Sequence, residues 1–315
     1  MRQKPDIMMS SKITLESELN LSSVESQVTY ASGYRRGVDL LTKAGVANAK
    51  SEAFWLLESV LGITRLDIHA EPETSVRPTL WAYAHEVFKR RARGEPLQYI
   101  LGTQLFRGLE IIVQPGVLVP RPETQLIIEE VHTILDPREE LKMADIGTGS
   151  GCLAVALATE FPYAKLYATD CSVTAIDVAI VNAHKNSVQD RIHFLCGDLL
   201  EPLNVLPGVK GGLSVIVANP PYIATRHLDT LPRDVRDFEP HLALDGGRDG
   251  LSFYRRLLSE AQSFLQSGGY LVLEIGDGQA HRICEKADDL QVWTLRNIRR
   301  DDANIDRVIT LERKG

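Results

Sequence analysis

From Lys142 to Glu312 the chain alternates strand-like and helix-like segments, and this rhythm limits the fold more than any other feature. "KMADIG" (142–147) is an apolar run of strand length. "CLAVALATEF" (152–161) has helical length, "KLYATD" (165–170) is again a strand, and "SVTAIDVAIVNAHKN" (172–186) is a helix with Ser172 as its N-cap. "IHFLCGD" (192–198) and "VIVA" (215–218) are further strands. A helix near "LSFYRRLLSEAQSFL" (251–265) precedes the strand "YLVLEIG" (270–276), then comes a helix, then two strands near Val292–Ile298 and Arg307–Glu312. Strands joined by helical crossovers run parallel, so the expected core is a mostly parallel sheet with helices on both faces.

Ligands of open α/β sheets bind at the carboxyl ends of the strands, and four strand ends here carry polar or glycine-rich tips. The first is "ADIGTGSGC". Gly147, Gly149 and Gly151 let the backbone turn tightly and approach a ligand at the start of a helix. The second strand ends in Asp170, placed to accept from both hydroxyls of a ribose. The third ends in Gly197-Asp198-Leu199, where Asp198 can accept from an adenine amino group and Leu199 can lie on the ring. Taken alone the turn is ambiguous, because Gly149, Gly151 and Ala154 also fit the G-x-G-x-x-A pattern of dinucleotide sites.

The fourth tip narrows the choice. "VIVANPPYI" (215–223) ends a buried strand in asparagine, two prolines and a tyrosine. Prolines donate nothing to a ladder and stop the strand. Asn219 offers a side-chain carbonyl, and Pro220 a backbone carbonyl with no competing N–H. Pro221 stiffens the turn, and Tyr222 supplies a flat wall. Together they form a rigid two-acceptor clamp for a planar –CO–NH2 or aromatic amine, whose delocalised lone pair must be held in one orientation to react.

The run Asp145 to Gly151 together with Asn219-Pro-Pro-Tyr222 resembles the class I S-adenosylmethionine-dependent methyltransferases that act on amino groups. More narrowly, "GEPLQYILG", "GVLVPRPET", "NPPYI", "FEPHLAL" and "GGRDGLSFYRRLL" resemble the release-factor glutamine N5-methyltransferases, in that order, over about residues 34 to 315. The resemblance implies a Rossmann-like methyltransferase domain with a mostly parallel seven-stranded sheet, behind a small helical domain and a β-hairpin linker. It implies S-adenosylmethionine as cofactor and the glutamine of the Gly-Gly-Gln motif of bacterial peptide-chain release factors as substrate. Carried over by position, Gly147, Thr148, Gly149, Ser150, Gly151, Asp170 and Leu199 bind the cofactor, with Asp198 beside them. Asn219 sits at the cofactor–substrate junction, and Pro220, Pro221 and Tyr222 complete the substrate clamp, Asn219, Pro220 and Tyr222 carrying the catalysis. Gln125 stands where relatives often have an acid after "RPET".

The expected organisation is a flexible polar tail over 1–33, a helical substrate-recognition domain over 34–97, a hairpin join over 98–137 and the methyltransferase domain over 138–315. In the helical part, Leu40, Leu41 and Ala44 form one stripe, and Ala53, Phe54, Leu57, Val60 and Leu61 another. A third helix starts at Pro78 and ends in the basic cluster Lys89, Arg90, Arg91 and Arg93 before Gly94. The cluster suits a solvated helix end or, less readily, contact with RNA or an acidic partner.

Composition sets bounds. A net charge of −7 argues against a main task of gripping phosphate backbones, so no nucleic-acid target is expected. The four cysteines form no C-x-x-C pair and read as reduced thiols, with no metal site. No apolar run approaches the roughly 18 residues of a membrane span, and the acidic, polar start lacks a secretion signal, so the expectation is a cytoplasmic enzyme without a membrane partner. Three alternatives stay open on the residues: a ribosomal-protein glutamine methyltransferase, a nucleic-acid amino methyltransferase using the same clamp, and a binding module without catalysis.

Overall fold

The computed structural model describes residues 27–315, and residues 1–26 of the tail expected over 1–33 lie outside them. The chain divides into two compact units, one ending at Leu101 and the other spanning Gly102–Gly315.

The first unit is helical: α1 (Tyr30–Lys43), α2 (Ala49–Leu61), α3 (Arg65–Ala70), α4 (Pro78–Ala92) and α5 (Leu97–Leu101). Helix α1 begins inside the stretch expected to be tail, with Thr29 and Ser32 forming a capping box. Of the stripe read from the sequence, Leu41 is buried and Leu40 packs partly buried against the same core. Ala44 is exposed at the helix end, whereas Gly33, Gly37 and Leu41 point inward. A Cβ on Gly37 would lie 2.3 Å from the Phe88 ring, so the glycine lets α1 and α4 come close. The basic end of α4 is largely consumed within the unit. Nε of Arg90 donates to Glu95 at 2.8 Å, and Nε of Arg91 donates to the buried Glu52 at 2.6 Å. "LQYIL", read as part of the hairpin, is helix α5.

The second unit opens with a two-stranded hairpin, β1 (Thr103–Phe106) and β2 (Leu109–Ile112). Its turn residues Arg107 and Gly108 both have positive φ, +49° and +77°, as a tight two-residue hairpin turn requires. Helix α6 (Gln125–Ile134), unforeseen in the sequence reading, leads to the main sheet. There the elements are β3 (Lys142–Ile146), α7 (Cys152–Glu160), β4 (Lys165–Asp170), α8 (Val173–Lys185), β5 (Ile192–Cys196), β6 (Leu213–Ala218), α9 (Arg233–Phe238), α10 (Ser252–Glu260), β7 (Leu265–Glu274), α11 (Ala280–Leu290), β8 (Trp293–Arg300) and β9 (Asp306–Arg313).

The seven strands lie in the order β5-β4-β3-β6-β7-β9-β8. All neighbouring pairs from β5 to β7 are parallel, and β9 is antiparallel to both β7 and β8. Every residue of β6 is buried, as a central strand covered on both faces demands. Because β5, β4, β3 and β6 are adjacent and parallel, their carboxyl ends share one edge, and the four polar tips meet there. Among the described residues no helix is long and apolar enough to cross a membrane, and no cluster of side chains could hold a metal ion.

Candidate active site

The glycine turn is built by hydrogen bonds to the neighbouring strand. The N–H groups of Gly147 and Thr148 both donate to the Thr169 carbonyl at 2.9 Å. Gly149 N–H donates to Asp170 Oδ2 at 2.9 Å, and Ser172 N–H donates to Asp170 Oδ1 at the same distance. Asp170 is thereby fixed with spare lone pairs on both oxygens. Below the turn, the fully buried Asp145 accepts from the Thr148 hydroxyl at 2.6 Å and from Ala154 N–H at 3.1 Å. Burial raises its carboxyl to about 7.

The three glycines have different reasons to be glycine. Gly147 and Gly149 have φ of +74° and +55°, and a Cβ on either would meet nothing within 4 Å. That open space at a helix start lets a nucleoside cofactor come close to the backbone. Gly151, φ +79°, lies against α8, where a Cβ would come 2.8 Å from the Ala179 Cβ. Ser150 offers its carbonyl to Asn182 Nδ2 at 2.8 Å. Together with Asp170 these residues fit S-adenosylmethionine.

The third tip is shaped by Leu199, which takes φ +47° and whose carbonyl accepts from the Thr169 hydroxyl at 2.8 Å. A β-carbon on Gly197 would strike Pro202, so this bend too requires glycine. Asp198 is half exposed and holds Arg256 in an ion pair at 2.9 Å. An adenine amino group would therefore share its carboxylate with that guanidinium.

The fourth tip, Asn219 to Tyr222, is held on several sides. Asn219 Nδ2 donates to the Thr124 hydroxyl at 3.2 Å, and the Tyr222 hydroxyl donates to Glu274 Oε1 at 3.4 Å. Burial pushes the Tyr222 phenol up, which keeps it a donor. The Tyr222 carbonyl accepts from Gln279 Nε2 at 2.9 Å. Gly246 and Gly250 pass so near the turn that a Cβ would approach the Pro221 carbonyl at 2.8 Å and the Tyr222 carbonyl at 2.5 Å. The motif "GGRDG" thus has a packing role at the clamp. Asn219, Tyr222, Ile223, Leu118, Leu244 and Arg121 line a pocket of about 170 Å³.

Several residues that shape this site carried no assignment in the sequence reading. Asn182, fully buried in α8, accepts from Ile112 N–H at 2.7 Å and donates to the Ile112 carbonyl at 2.9 Å, tying β2 to the glycine turn. Its one sequence signal is a polar residue on an apolar helix face. Arg121 of "VPRPET" pairs at 2.6 Å with the buried Glu239 of "FEPHLAL", so two distant motifs close one wall of the pocket. Glu274 and Thr124, both 2% exposed, lie behind the clamp.

Residues 34–102 match the PrmC N-terminal domain family, and residues 122–248 match the methyltransferase small domain family. A release factor glutamine methyltransferase of Moorella thermoacetica is 42% identical over 274 residues, covering 87% of this chain and 95% of that protein. The chain belongs to the release factor glutamine methyltransferase family. A second such protein, from Geobacter sulfurreducens, is 42% identical over 243 residues, covering 77% of this chain and 82% of its own length. Among solved structures, the hMettl16 catalytic domain in complex with MAT2A 3'UTR hairpin 6 superimposes with a TM-score of 0.54 at 16% identity, covering 69% of this chain and 82% of that one. That likeness concerns the fold alone, a class I methyltransferase sheet.

Proposed function

We propose that the clamp at the end of β6 holds the side-chain amide of the glutamine in the Gly-Gly-Gln motif of peptide-chain release factors, and that the chain methylates its N5 nitrogen. The observation that carries this is the placement of Asn219-Pro-Pro-Tyr222 beside the glycine turn, with the Asn219 Nδ2 spent on Thr124. Family membership supports the same activity, with S-adenosylmethionine as cofactor.

The cofactor supplies a methyl group already activated by its sulfonium. The turn Gly147 to Gly151 and the carboxylate of Asp170 would bind it, with Leu199 beside the adenine. The Asn219 Oδ1 and the Pro220 carbonyl accept the two N–H bonds of the substrate amide. Tyr222 stacks on its plane, and Pro221 keeps the turn stiff. As the nitrogen takes the methyl group, the carbon–sulfur bond would break with its electron pair leaving on sulfur as a neutral thioether; the positive charge passes to the nitrogen, where the same two acceptors stabilise it without reorganising. The product cation gives up its proton readily, so no strong base is needed. Residues 34–97 supply a second contact with the factor, and the reaction takes place in the cytoplasm.

The test is mass spectrometry of purified release factors incubated with the chain and S-adenosylmethionine. One added methyl, localised to the Gly-Gly-Gln glutamine, is the expected result. Methylation elsewhere, on a ribosomal protein or on nucleic acid in its place, overturns the substrate assignment.

A further inference from the structure

The two prolines that stiffen the clamp also leave it short of donors. Pro220 and Pro221 have no N–H, so neither can tie the turn to the backbone around it. The direction of the Pro220 carbonyl and the plane of the Tyr222 ring then depend on what holds the far end of the turn. One residue past the clamp, the Ile223 N–H donates to the Leu244 carbonyl at 3.0 Å. On the clamp itself, the Tyr222 carbonyl accepts from Gln279 Nε2 at 2.9 Å.

Gln279 stands at the start of α11, where a short polar side chain would ordinarily cap the helix. Its side chain makes no cap and turns back to the clamp instead. Nε2 donates to the Tyr222 carbonyl and, at 3.2 Å, to the Gly250 carbonyl, while Oε1 accepts from the Gly276 N–H at 2.9 Å. Carbonyls only accept and an N–H only donates, so the amide fits in one orientation. It joins three segments: the clamp, the "GGRDG" loop and the residues just past β7. The backbone closes tightly around it. A Cβ on Gly250 would lie 2.7 Å from Nε2 and 2.5 Å from the Tyr222 carbonyl oxygen, and a Cβ on Gly276 2.9 Å from Oε1 and 3.0 Å from Tyr222 Cδ2.

We propose that Gln279 is a positioning residue for methyl transfer: its side-chain amide anchors the Tyr222 end of the Asn219–Tyr222 turn, and through it aims the Pro220 carbonyl and sets the plane of the Tyr222 ring. Gly250 and Gly276 belong to the same device, because each lets the backbone come within reach of that one amide. Gln279 touches neither the glycine turn nor Asp170, so it acts on the substrate amide and not on the cofactor. This inference rests on the clamp reading given above.

The experiment measures kcat and KM for methylation of a purified release factor by the full-length chain, at a temperature where every variant is folded, with S-adenosylmethionine affinity measured separately by calorimetry. Gln279→Glu keeps the length and the acceptor for the Gly276 N–H, and sets an oxygen against two carbonyls. Gln279→Met keeps the bulk without charge and removes all three contacts, so it decides the matter if the glutamate variant does not fold. Either is expected to lower kcat about ten-fold to a hundred-fold, the scale for a misplaced reacting group, with cofactor Kd within about two-fold. Because Gln279 acts through the clamp, adding Gln279→Met to Asn219→Ala should cost several-fold less in single-turnover rate than Gln279→Met costs alone. A residue that only stabilises the fold would subtract equally in both backgrounds. The inference is overturned if Gln279→Met turns over like wild type, if its loss falls on cofactor Kd and not on kcat, or if the loss is undiminished in the Asn219→Ala background. Absence of glutamine methylation by the wild type would instead sink the clamp reading itself, so the two failures are told apart in one series.

Discussion

The glycines of the turn separate structural need from ligand need at single positions. Gly151 must be glycine because a Cβ would meet α8, whereas Gly149 faces open space. Both carry positive φ, so alanine is strained at either. Gly151→Ala should therefore lower the melting temperature more than Gly149→Ala. Gly149→Ala should stay folded and lose S-adenosylmethionine affinity, read by calorimetry. The two buried carboxyls bear on pH. Burial raises Asp145 and Glu274 to about 7, from ordinary values of 3.8 and 4.5. Between about 5 and 7 the unfolded chain releases these protons while the folded chain keeps them, so their stabilising contribution is full below the ordinary values and is lost as pH rises through about 7. Urea unfolding at pH 5 and pH 8 should show a smaller loss of stability with rising pH in Glu274→Gln than in wild type. An identical loss in both proteins would mean that Glu274 titrates normally. These residues also mark where the sequence runs out. Asn219 ends a strand beside a proline, and Asp170 ends the strand that follows the glycine turn, which makes both conspicuous. Thr124, Asn182 and Glu274 sit within ordinary helical or strand patterns, and their partners lie far away along the chain, Asn219 being 95 residues from Thr124.

At the scale of elements, the strands and helices of the sheet were legible because each is long, apolar and bounded by turn residues. β4 spans the residues read from the sequence, and Ser172 caps α8 by accepting from Ala175 N–H at 3.2 Å. What escaped was short or atypical. α3 has six residues and α5 five, too few to display a period. α6 begins directly after a 3-10 turn at Pro122–Thr124, and it buries a charged residue, Glu130, which accepts from the Thr310 hydroxyl at 3.0 Å and from Asn297. An acid on the inward face blurs the apolar stripe that would have announced the helix. The α1 stripe was read only in part for the opposite reason: beside Leu41, its buried residues are Gly33 and Gly37, which no hydrophobic count scores. That packing gives a direct test. Gly37→Ala places a methyl within the Phe88 ring and should cost about 1–3 kcal/mol as overpacking, read in chemical unfolding. A neutral outcome would mean that α1 does not pack through this position.

For the molecule as a whole, the two compact units suggest a division of labour. All the residues proposed to bind the cofactor or form the clamp belong to the second unit, Gly102–Gly315. Removing the first should leave S-adenosylmethionine binding within a few-fold of the full chain and raise KM for the release factor. Unchanged kinetics in such a truncated, soluble protein would remove the recognition role from residues 34–97. The central claim is that the Asn219 carbonyl orients the substrate amide and meets the charge that grows on its nitrogen. Both effects are larger in the transition state than in the ground state, so kcat should suffer more than KM. The decisive measurement is the single-turnover rate of methylation of the Gly-Gly-Gln glutamine by Asn219→Ala at saturating cofactor, with folding checked by thermal melting. The predicted result is a loss of about 10²–10³ in rate with cofactor affinity within a few-fold of wild type. A near-wild-type rate would contradict the account and reduce the asparagine at the end of β6 to a turn residue.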